Sequence, residues 1–169
     1  MPICYYDASN KADPSDGKSQ YGYVIFMFNG PIIWGTKKFK HVGLSSTHNE
    51  YMALCQASKD VEWIRQILKE IGYPIDLDIP TPILGDNDNA TLYAREDLIT
   101  PGNKFIIQEY HYAKECVERG VTCPRRVDTS DNISDILTKS VGRPIHDRLM
   151  PRLTGYGGLL PDPPKAPED

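Results

Sequence analysis

The sequence predicts an α/β (α+β) domain in which helices cover a mixed β-sheet. Three short β-branched and aromatic stretches open the chain, and a long helical pattern follows them. Such strands and such a helix bury their apolar faces against one another. At 169 residues and 40% hydrophobic content, the chain is long enough for one domain with a core and too short for two. The glycines and prolines near the end predict a flexible tail over 154–169, which leaves residues 1–153 as the domain.

The predicted strands are rich in β-branched and aromatic residues and are bounded by turn residues. The first three cover 3–6, 21–28 and 32–36. The first strand ends in Asp7, which places a carboxylate at a strand end. Between the second and third strands, Asn29-Gly30 predicts a two-residue hairpin turn with both residues at positive φ.

The longest helical pattern runs from Thr47 to Ile71 and is ended by Gly72. Its apolar residues recur at alternating steps of three and four, at Leu54, Ala57, Val61, Ile64, Leu68 and Ile71. One turn before this stripe lies Glu50, with no basic residue three or four positions away. Two interpretations of this carboxylate stay open. Thr47 and Glu50 have the spacing of a capping box, and a carboxylate beginning a buried stripe also suits a metal ligand.

The second half of the chain predicts two further strands and four further helices. The strands cover 83–85 and 121–127, and the helices cover 90–95, 104–119, 133–139 and 143–153. Pro124 makes the later strand an edge strand, and Pro151 is expected to break the last helix. Asp86 follows the fourth strand directly. Asp135 lies in the first turn of a short helix, where an acid also favours the helix dipole.

Composition and charge exclude several classes of protein. The net charge of −4 argues against a chain held on nucleic acid by bulk electrostatics, but it allows a local basic face around an acidic centre. The cysteines are scattered and form no C-x-x-C pair, so neither a zinc site nor a disulfide framework is predicted. No apolar run approaches the ~20 residues of a membrane span. We therefore expect a soluble, intracellular protein without a membrane partner.

Four acids share one placement, at the ends of strands or in the first turns of helices. They are Asp7, Glu50, Asp86 and Asp135. In an open sheet with covering helices, strand ends and helix starts meet at one edge, so the four carboxylates are expected to converge. Such a cluster suits two hard divalent cations, Mg²⁺ or Mn²⁺, which prefer oxygen ligands. A pair of these ions catalyses phosphodiester hydrolysis.

Several short motifs in a fixed order resemble one known family. They are Tyr6-Asp7-Ala8-Ser9, Lys18-Ser19-Gln20-x-Gly22-Tyr23-Val24, Ile33-Trp34-x-x-Lys37-Lys38, Leu44-Ser45-Ser46-Thr47-x-x-Glu50-Tyr51-Met52-Ala53-Leu54, Gly85-Asp86-Asn87, Tyr110-His111 and Ser134-Asp135-Ile136-Leu137-Thr138-Lys139. In this order they resemble the ribonuclease H domain of copia-type LTR retrotransposon polyproteins. The resemblance covers roughly residues 3 to 153.

The resemblance implies an RNase H-like fold, a five-stranded mixed sheet with flanking helices. It also implies metal-dependent hydrolysis of the RNA strand of RNA/DNA hybrids, with two Mg²⁺ ions for which Mn²⁺ can substitute. Asp7, Glu50, Asp86 and Asp135 would be the metal-binding carboxylates, and Asp7 would bridge both ions. The implied partner is the reverse transcriptase domain of the same polyprotein, with the isolated domain monomeric. The implied location is the cytoplasm, inside virus-like particles, with the nucleus as an alternative.

Further residues are candidates for a role in this activity. Where relatives usually read Lys-His-Ile, this chain has Lys104-Phe105-Ile106, and His111 keeps its own motif position as a candidate auxiliary catalytic base. Lys37, Lys38 and Asn87 are candidate substrate contacts, to the phosphates and sugars of a hybrid. For His111 and for both lysines, an ordinary exposed position is an equally good interpretation.

Two alternative functions stay open at this point. A transposase or integrase core shares the fold, but it would use three acids and would not need Glu50 on the long helix. A domesticated, catalytically silent domain would bind nucleic acid or a protein partner without cutting. All four acids are present in this sequence, which favours the nuclease.

Overall fold

A computed structural model of the chain describes residues 1–10, 17–39, 45–95 and 107–156. Its strands are β1 (Ile3–Ser9), β2 (Gln20–Met27), β3 (Gly30–Lys38), β4 (Thr81–Gly85) and β5 (Thr122–Arg126). Its helices are α1 (Ser46–Glu70), α2 (Asp88–Arg95), α3 (Ile107–Glu118), α4 (Asp135–Thr138) and α5 (Arg143–Thr154), with a 3₁₀ turn at Thr129–Asp131. The strands form one mixed sheet in the order β3-β2-β1-β4-β5. The predicted five-stranded mixed sheet with flanking helices is confirmed.

The direction of the strands brings several chain segments to one edge of the sheet. Strand β1 pairs antiparallel with β2 and parallel with β4, and β4 pairs parallel with β5. Because β3 is antiparallel to β2, it also ends at the edge where β1, β4 and β5 end. Helices α1 and α2 follow β3 and β4 and therefore begin at this edge. We call it the carboxyl edge of the sheet.

Apolar side chains from both faces of the sheet form the core. In β1, Tyr5 and Tyr6 are both buried and belong to opposite faces, as expected from strand alternation. The Tyr6 face packs against α1 residues such as Leu54 and Val61. The Tyr5 face packs against Ile133 and the chain that follows it. Helix α1 therefore lies on one face of the sheet, while the α4 region covers the other.

The hairpin between β2 and β3 differs from its prediction by one residue. Met27 pairs with Gly30, so the two turn residues are Phe28 and Asn29, at φ +56° and +63°. A bulge in the pairing shifts the register between Ile25 and Phe26. The predicted turn at Asn29-Gly30 is wrong because register, set by pairing along the whole strand, overrides the local preference of the Asn-Gly pair.

The start of helix α1 also differs from its prediction. The N-cap is Ser45, whose Oγ accepts a hydrogen bond from the His48 backbone N–H at 3.1 Å. Thr47 is the second helical residue, and Glu50 lies in the second turn, beyond the capping-box position. The capping box is therefore wrong. Because Ser45 satisfies the helix start, the Glu50 carboxylate is left to face another part of the molecule.

Helix α5 continues through Pro151, where the sequence predicts a break. It ends at Thr154, and Gly155 follows at φ +78° as its left-handed cap. Proline removes one backbone hydrogen bond. Near the end of the helix this loss is tolerated, and the Thr154 hydroxyl donates to the Met150 carbonyl at 2.9 Å. Residues 157–169 lie outside the described part of the chain, so the flexible tail stays a prediction.

The remaining helices and strands are of the predicted type, but their lengths differ from the prediction. Pro124 lies in β5, which is an edge strand as predicted. The predicted helix over 133–139 is the single turn α4, and residues 104–106 of the predicted third helix lie outside the described residues. Across the described ranges, no helix has the length and apolar content to cross a bilayer.

Candidate metal centre

Three of the four predicted acids meet at the carboxyl edge of the sheet. Asp7 lies near the end of β1, Asp86 follows β4 directly, and Asp135 begins α4. One carboxylate oxygen from each lies within 4.8 Å of the other two. Asp7 and Asp135 are 2% and 4% exposed. Like charges this close repel one another strongly once they are removed from water.

Glu50 is the fourth carboxylate at this edge. It lies on α1, is 6% exposed, and accepts a hydrogen bond from the backbone of Ala8, the residue after Asp7. Burial raises the pKa of Glu50 to about 9, and the charges of Asp7 and Asp86 add to the rise. Glu50 therefore belongs to the same electrostatic cluster. We call Asp7, Glu50, Asp86 and Asp135 the acidic cluster.

Burial and charge also raise the pKa of the two buried aspartates. For Asp7 burial is the largest cause, and it is opposed by the Thr138 hydroxyl, which donates to Asp7 Oδ2, and by the positive charge of Lys139. For Asp135, burial and the charge of Asp7 raise the pKa to about 6, again opposed by Lys139. The acidic cluster therefore concentrates carboxyl groups in a buried place where their negative charge is disfavoured.

One lysine partly neutralises the acidic cluster. Lys139 Nζ lies 3.0 Å from Asp135 Oδ1 and 3.8 Å from Asp7 Oδ2. The contact with Asp135 is an ion pair between residues four positions apart on the chain. Burial lowers the pKa of Lys139, but the facing Asp7 and Asp135 charges outweigh burial and raise it. The lysine is therefore charged at neutral pH.

Close packing of α4 on the sheet places Thr138 against Asp7. Gly22 pairs with Asp7 across the strands, and a Cβ at Gly22 would lie 2.6 Å from Leu137 Cβ and 3.0 Å from Thr138 Cγ2. Gln20 Nε2 and the Thr36 hydroxyl both donate to the Leu137 carbonyl, at 2.9 and 2.7 Å. Only glycine at position 22 allows this approach without moving α4.

Asn132 ties the start of α4 to the strand that carries Asp7. Its side chain is fully buried, and its Nδ2 donates to the Tyr6 carbonyl at 3.0 Å. Its Oδ1 accepts from the Ser134 hydroxyl at 2.6 Å and from the Ser134 backbone N–H at 3.3 Å. Because Tyr6 precedes Asp7 and Ser134 precedes Asp135, this residue fixes the spacing between two carboxylates.

A second glycine shapes the strand that leads to Asp86. A Cβ at Gly85 would lie 2.3 Å from Cζ of the buried Tyr6 ring. The sequence predicts that something approaches this backbone closely, because glycine removes a side chain beside Asp86. The Tyr6 ring is that group, and it brings β1 and β4 together at the acidic cluster.

The chemistry of the acidic cluster fits divalent cations. Its donors are carboxylate oxygens, and the three grouped ligands include no His or Cys among the described residues, which favours Mg²⁺ or Mn²⁺ over zinc. Glu50 Oε2 is buried and has no hydrogen-bond partner in the described part of the chain. A cation would satisfy this oxygen and offset the repulsion that raises the pKa values.

The chain resembles part of a transposon protein in sequence. No protein-family model matches it. Over 139 residues, 82% of the chain, it is 34% identical to the retrovirus-related Pol polyprotein from transposon RE2 of Arabidopsis thaliana. Over the same length it is 30% identical to the retrovirus-related Pol polyprotein from transposon TNT 1-94 of Nicotiana tabacum. The matched segments are only 9% and 10% of those polyproteins.

Solved structures share its fold. The N-terminal RNase H domain of Rv2228c from Mycobacterium tuberculosis has a TM-score of 0.57 at 13% identity, covering 89% of this chain and 94% of that one. LC11-RNase H1 in complex with an RNA/DNA hybrid has a TM-score of 0.59 at 17% identity, covering 82% and 94%. The chain therefore has the RNase H fold, and in sequence it is similar to a segment of retrovirus-related Pol polyproteins from plant transposons. Both similarities agree with the family that its motifs resemble.

The other candidate residues are not among the three grouped acids. His111 is exposed on α3 and is not part of the grouped ligands. Asn87 Oδ1 accepts from the Ala90 backbone N–H at 3.2 Å and so caps the start of α2 beside Asp86. Lys37 and Lys38 are exposed at the end of β3, on the carboxyl edge. Their roles stay predictions.

Three residues of this site have no predicted role in the sequence. Thr138 and Lys139 lie in the motif that carries Asp135, but only Asp135 is a candidate ligand there. Asp135 and Lys139 are four positions apart, and this spacing in the sequence would have been enough to predict an ion pair on a helix. Asn132 belongs to a run of capping residue types before α4, but no local signal predicts its contact with Tyr6, which joins residues 126 positions apart.

Proposed function

We propose that this RNase H domain is a metal-dependent endonuclease that hydrolyses the RNA strand of RNA/DNA hybrids. The observation that carries the proposal is the convergence of Asp7, Asp86 and Asp135 within 4.8 Å. Buried Glu50 is the fourth acid of the cluster, and the charges of Asp7 and Asp86 help to raise its pKa. A structural role does not explain four clustered carboxylates, because their repulsion lowers stability unless a cation offsets it. The family and the fold support the same activity.

The acidic cluster would hold two Mg²⁺ ions, or Mn²⁺ in their place. Bound divalent cations supply a nucleophilic water at neutral pH and stabilise negative charge on the phosphate and the leaving oxygen. In this proposal Asp7 would be one of the residues that hold the cations, and the Thr138 hydroxyl would orient its carboxylate. Asn132 holds Asp135 at a fixed distance from β1. Cleavage would leave 5′-phosphate and 3′-hydroxyl ends, as the family resemblance implies.

The substrate would lie across the carboxyl edge. An A-form-like hybrid is recognised through 2′-hydroxyls in a wide minor groove and through phosphates beside it. Lys37 and Lys38 would contact the phosphate backbone, and Asn87 would contact a sugar or phosphate next to Asp86. We propose His111 only as an auxiliary residue for proton transfer or product release.

We also propose a setting for the activity. The domain would work beside the reverse transcriptase of the same polyprotein, removing RNA from newly made hybrid. It would act as a monomeric unit within virus-like particles in the cytoplasm, with the nucleus as the alternative location. These statements concern a polyprotein of which this chain matches about a tenth.

Cleavage of end-labelled RNA in a hybrid tests the proposal. The chain is assayed with Mg²⁺ or Mn²⁺, alongside Asp86→Asn and the matched control Asp88→Asn. Asp88 is exposed and pairs with Arg126 at the surface, so its loss should change little. Asp86→Asn should lower the cleavage rate by more than the loss of about 10- to 100-fold that is typical when a residue supporting a metal ligand is replaced.

The substrate comparison separates the alternatives. Single-stranded RNA and duplex DNA should be poor substrates beside the hybrid. If they are cut as readily as the hybrid, that result supports the integrase-like interpretation. If the hybrid survives with both metals at high protein concentration, the domain is catalytically silent and the proposed function is wrong.

A further inference from the structure

Lys139 occupies the position between two candidate metal ligands. Its ammonium group lies 3.0 Å from Asp135 Oδ1 and 3.8 Å from Asp7 Oδ2. It is the residue after α4, and its backbone N–H donates to the Asp135 carbonyl at 3.1 Å. The backbone of Lys139 is therefore held in place, while its ammonium group lies beside the two carboxylates.

A cation bound by Asp7 and Asp135 needs the oxygens that Lys139 contacts. Mg²⁺ lies about 2.0–2.1 Å from its oxygen ligands. An ammonium group left at 3.0 Å from Asp135 Oδ1 would then face a double positive charge at close range. The two cations therefore compete for the same carboxylates.

The Lys139 side chain can leave without disturbing the fold. It is 39% exposed, whereas the carboxylates it contacts are buried. Lysine has a flexible four-carbon stem, and its charge can return to water at little cost. Its backbone hydrogen bond and the packing of α4 on Gly22 do not depend on the position of the ammonium group.

We infer that Lys139 is a displaceable counter-ion of the metal centre. In the metal-free protein its ammonium group holds the Asp7 and Asp135 carboxylates together, and binding of a divalent cation displaces it. The lysine thus sets both the stability of the protein without bound metal and the concentration of cation that is needed for binding. This inference rests on the proposed metal site.

Mn²⁺ binding to the whole chain tests the inference, measured by titration calorimetry at pH 8. Lys139→Gln should bind Mn²⁺ about tenfold more tightly than the wild type, within the range typical of coupling between two ligands. Lys139→Arg keeps the charge and should bind close to the wild type. Lys69→Gln, an exposed lysine on α1, is the matched control and should have no effect.

Urea unfolding supplies a readout that a purely structural role would not give. In EDTA, Lys139→Gln should unfold at lower urea than the wild type, because the carboxylates lose their counter-ion. With Mn²⁺ present the difference should shrink or reverse. A lysine with only a structural role would lower the midpoint equally in both conditions, and that result overturns the inference.

Failure of the inference and failure of the metal site give different results. If the wild type binds Mn²⁺, Asp7→Asn abolishes binding, and Lys139→Gln binds no more tightly, the counter-ion role is wrong and the metal site stands. If neither the wild type nor Lys139→Gln binds Mn²⁺, the metal site and the counter-ion role are both wrong.

Discussion

Replacing Glu50 by glutamine should stabilise the metal-free protein. Burial and neighbouring carboxylates raise the pKa of Glu50 from 4.5 to about 9. Between these values the folded protein keeps a proton that the unfolded chain releases. Stability is therefore full below pH 4.5 and falls as the pH rises, by about 1.4 kcal/mol per unit. From pH 4.5 to pH 7 the loss is about 3 kcal/mol.

Glutamine keeps the size of the side chain and removes this titration. Because the glutamine and the protonated Glu50 carboxyl are both neutral in the folded state, the variant should be about 3 kcal/mol more stable at pH 7 in EDTA. For a chain of this size, that corresponds to a rise in Tm of about 6–12 °C. With saturating Mg²⁺ the wild type should become the more stable of the two proteins, because the cation stabilises the wild-type site and binds the variant less well.

Urea unfolding followed by circular dichroism measures both effects, at pH 5 to 9 with EDTA and with Mg²⁺. The wild type in EDTA should lose stability across this range, and Glu50→Gln should show a flatter dependence. If wild-type stability is level from pH 5 to pH 8 and the variant is no more stable, the Glu50 carboxyl does not lie in the acidic cluster.

Two further predictions concern packing and capping. Gly85→Ala places a Cβ 2.3 Å from the Tyr6 ring and should cost about 1–3 kcal/mol through overpacking. Gly30→Ala, where nothing lies within 4 Å, should be near neutral by urea denaturation. Ser45→Ala removes the cap of α1 and should lower the free energy of unfolding by about 0.5–2 kcal/mol. Thr47→Ala should cost much less, and the opposite order would restore the capping box.

Local sequence patterns were sufficient to place the acids. Asp7 and Asp86 each follow a short strand-like stretch, and Glu50 and Asp135 lie near the starts of helical ones. In this topology strand ends and helix starts meet at one edge of the sheet. Once the fold class is predicted correctly, residues at these positions are therefore predicted to lie near each other. The fold class itself follows from composition and periodicity in the first half of the chain.

The features that local patterns do not predict depend on contacts between distant segments. The turn at Phe28 and Asn29 follows from a register shift along β2 and β3, which no local pattern contains. The place of Lys139 follows from the packing of α4 on Gly22, a glycine in the middle of a strand. Such contacts decide which neighbours an acid has, and therefore its pKa.

The same contacts allow the metal-free site to persist in a folded protein. Several like charges in one buried place cost stability, and the cost is reduced where the site keeps a proton on Glu50 and an ammonium group on Lys139. Thr138 adds a hydrogen bond to Asp7. In the proposed function, these groups would keep the cluster folded before cations bind.

The most direct test of a catalytic metal centre is the rate of RNA-strand cleavage in a hybrid by Asp86→Asn relative to Asp88→Asn, in Mg²⁺ and in EDTA. We predict cleavage by Asp88→Asn that requires the metal, and loss of more than about a hundredfold in Asp86→Asn. Equal rates for the two variants, or cleavage that continues in EDTA, would contradict the proposed centre.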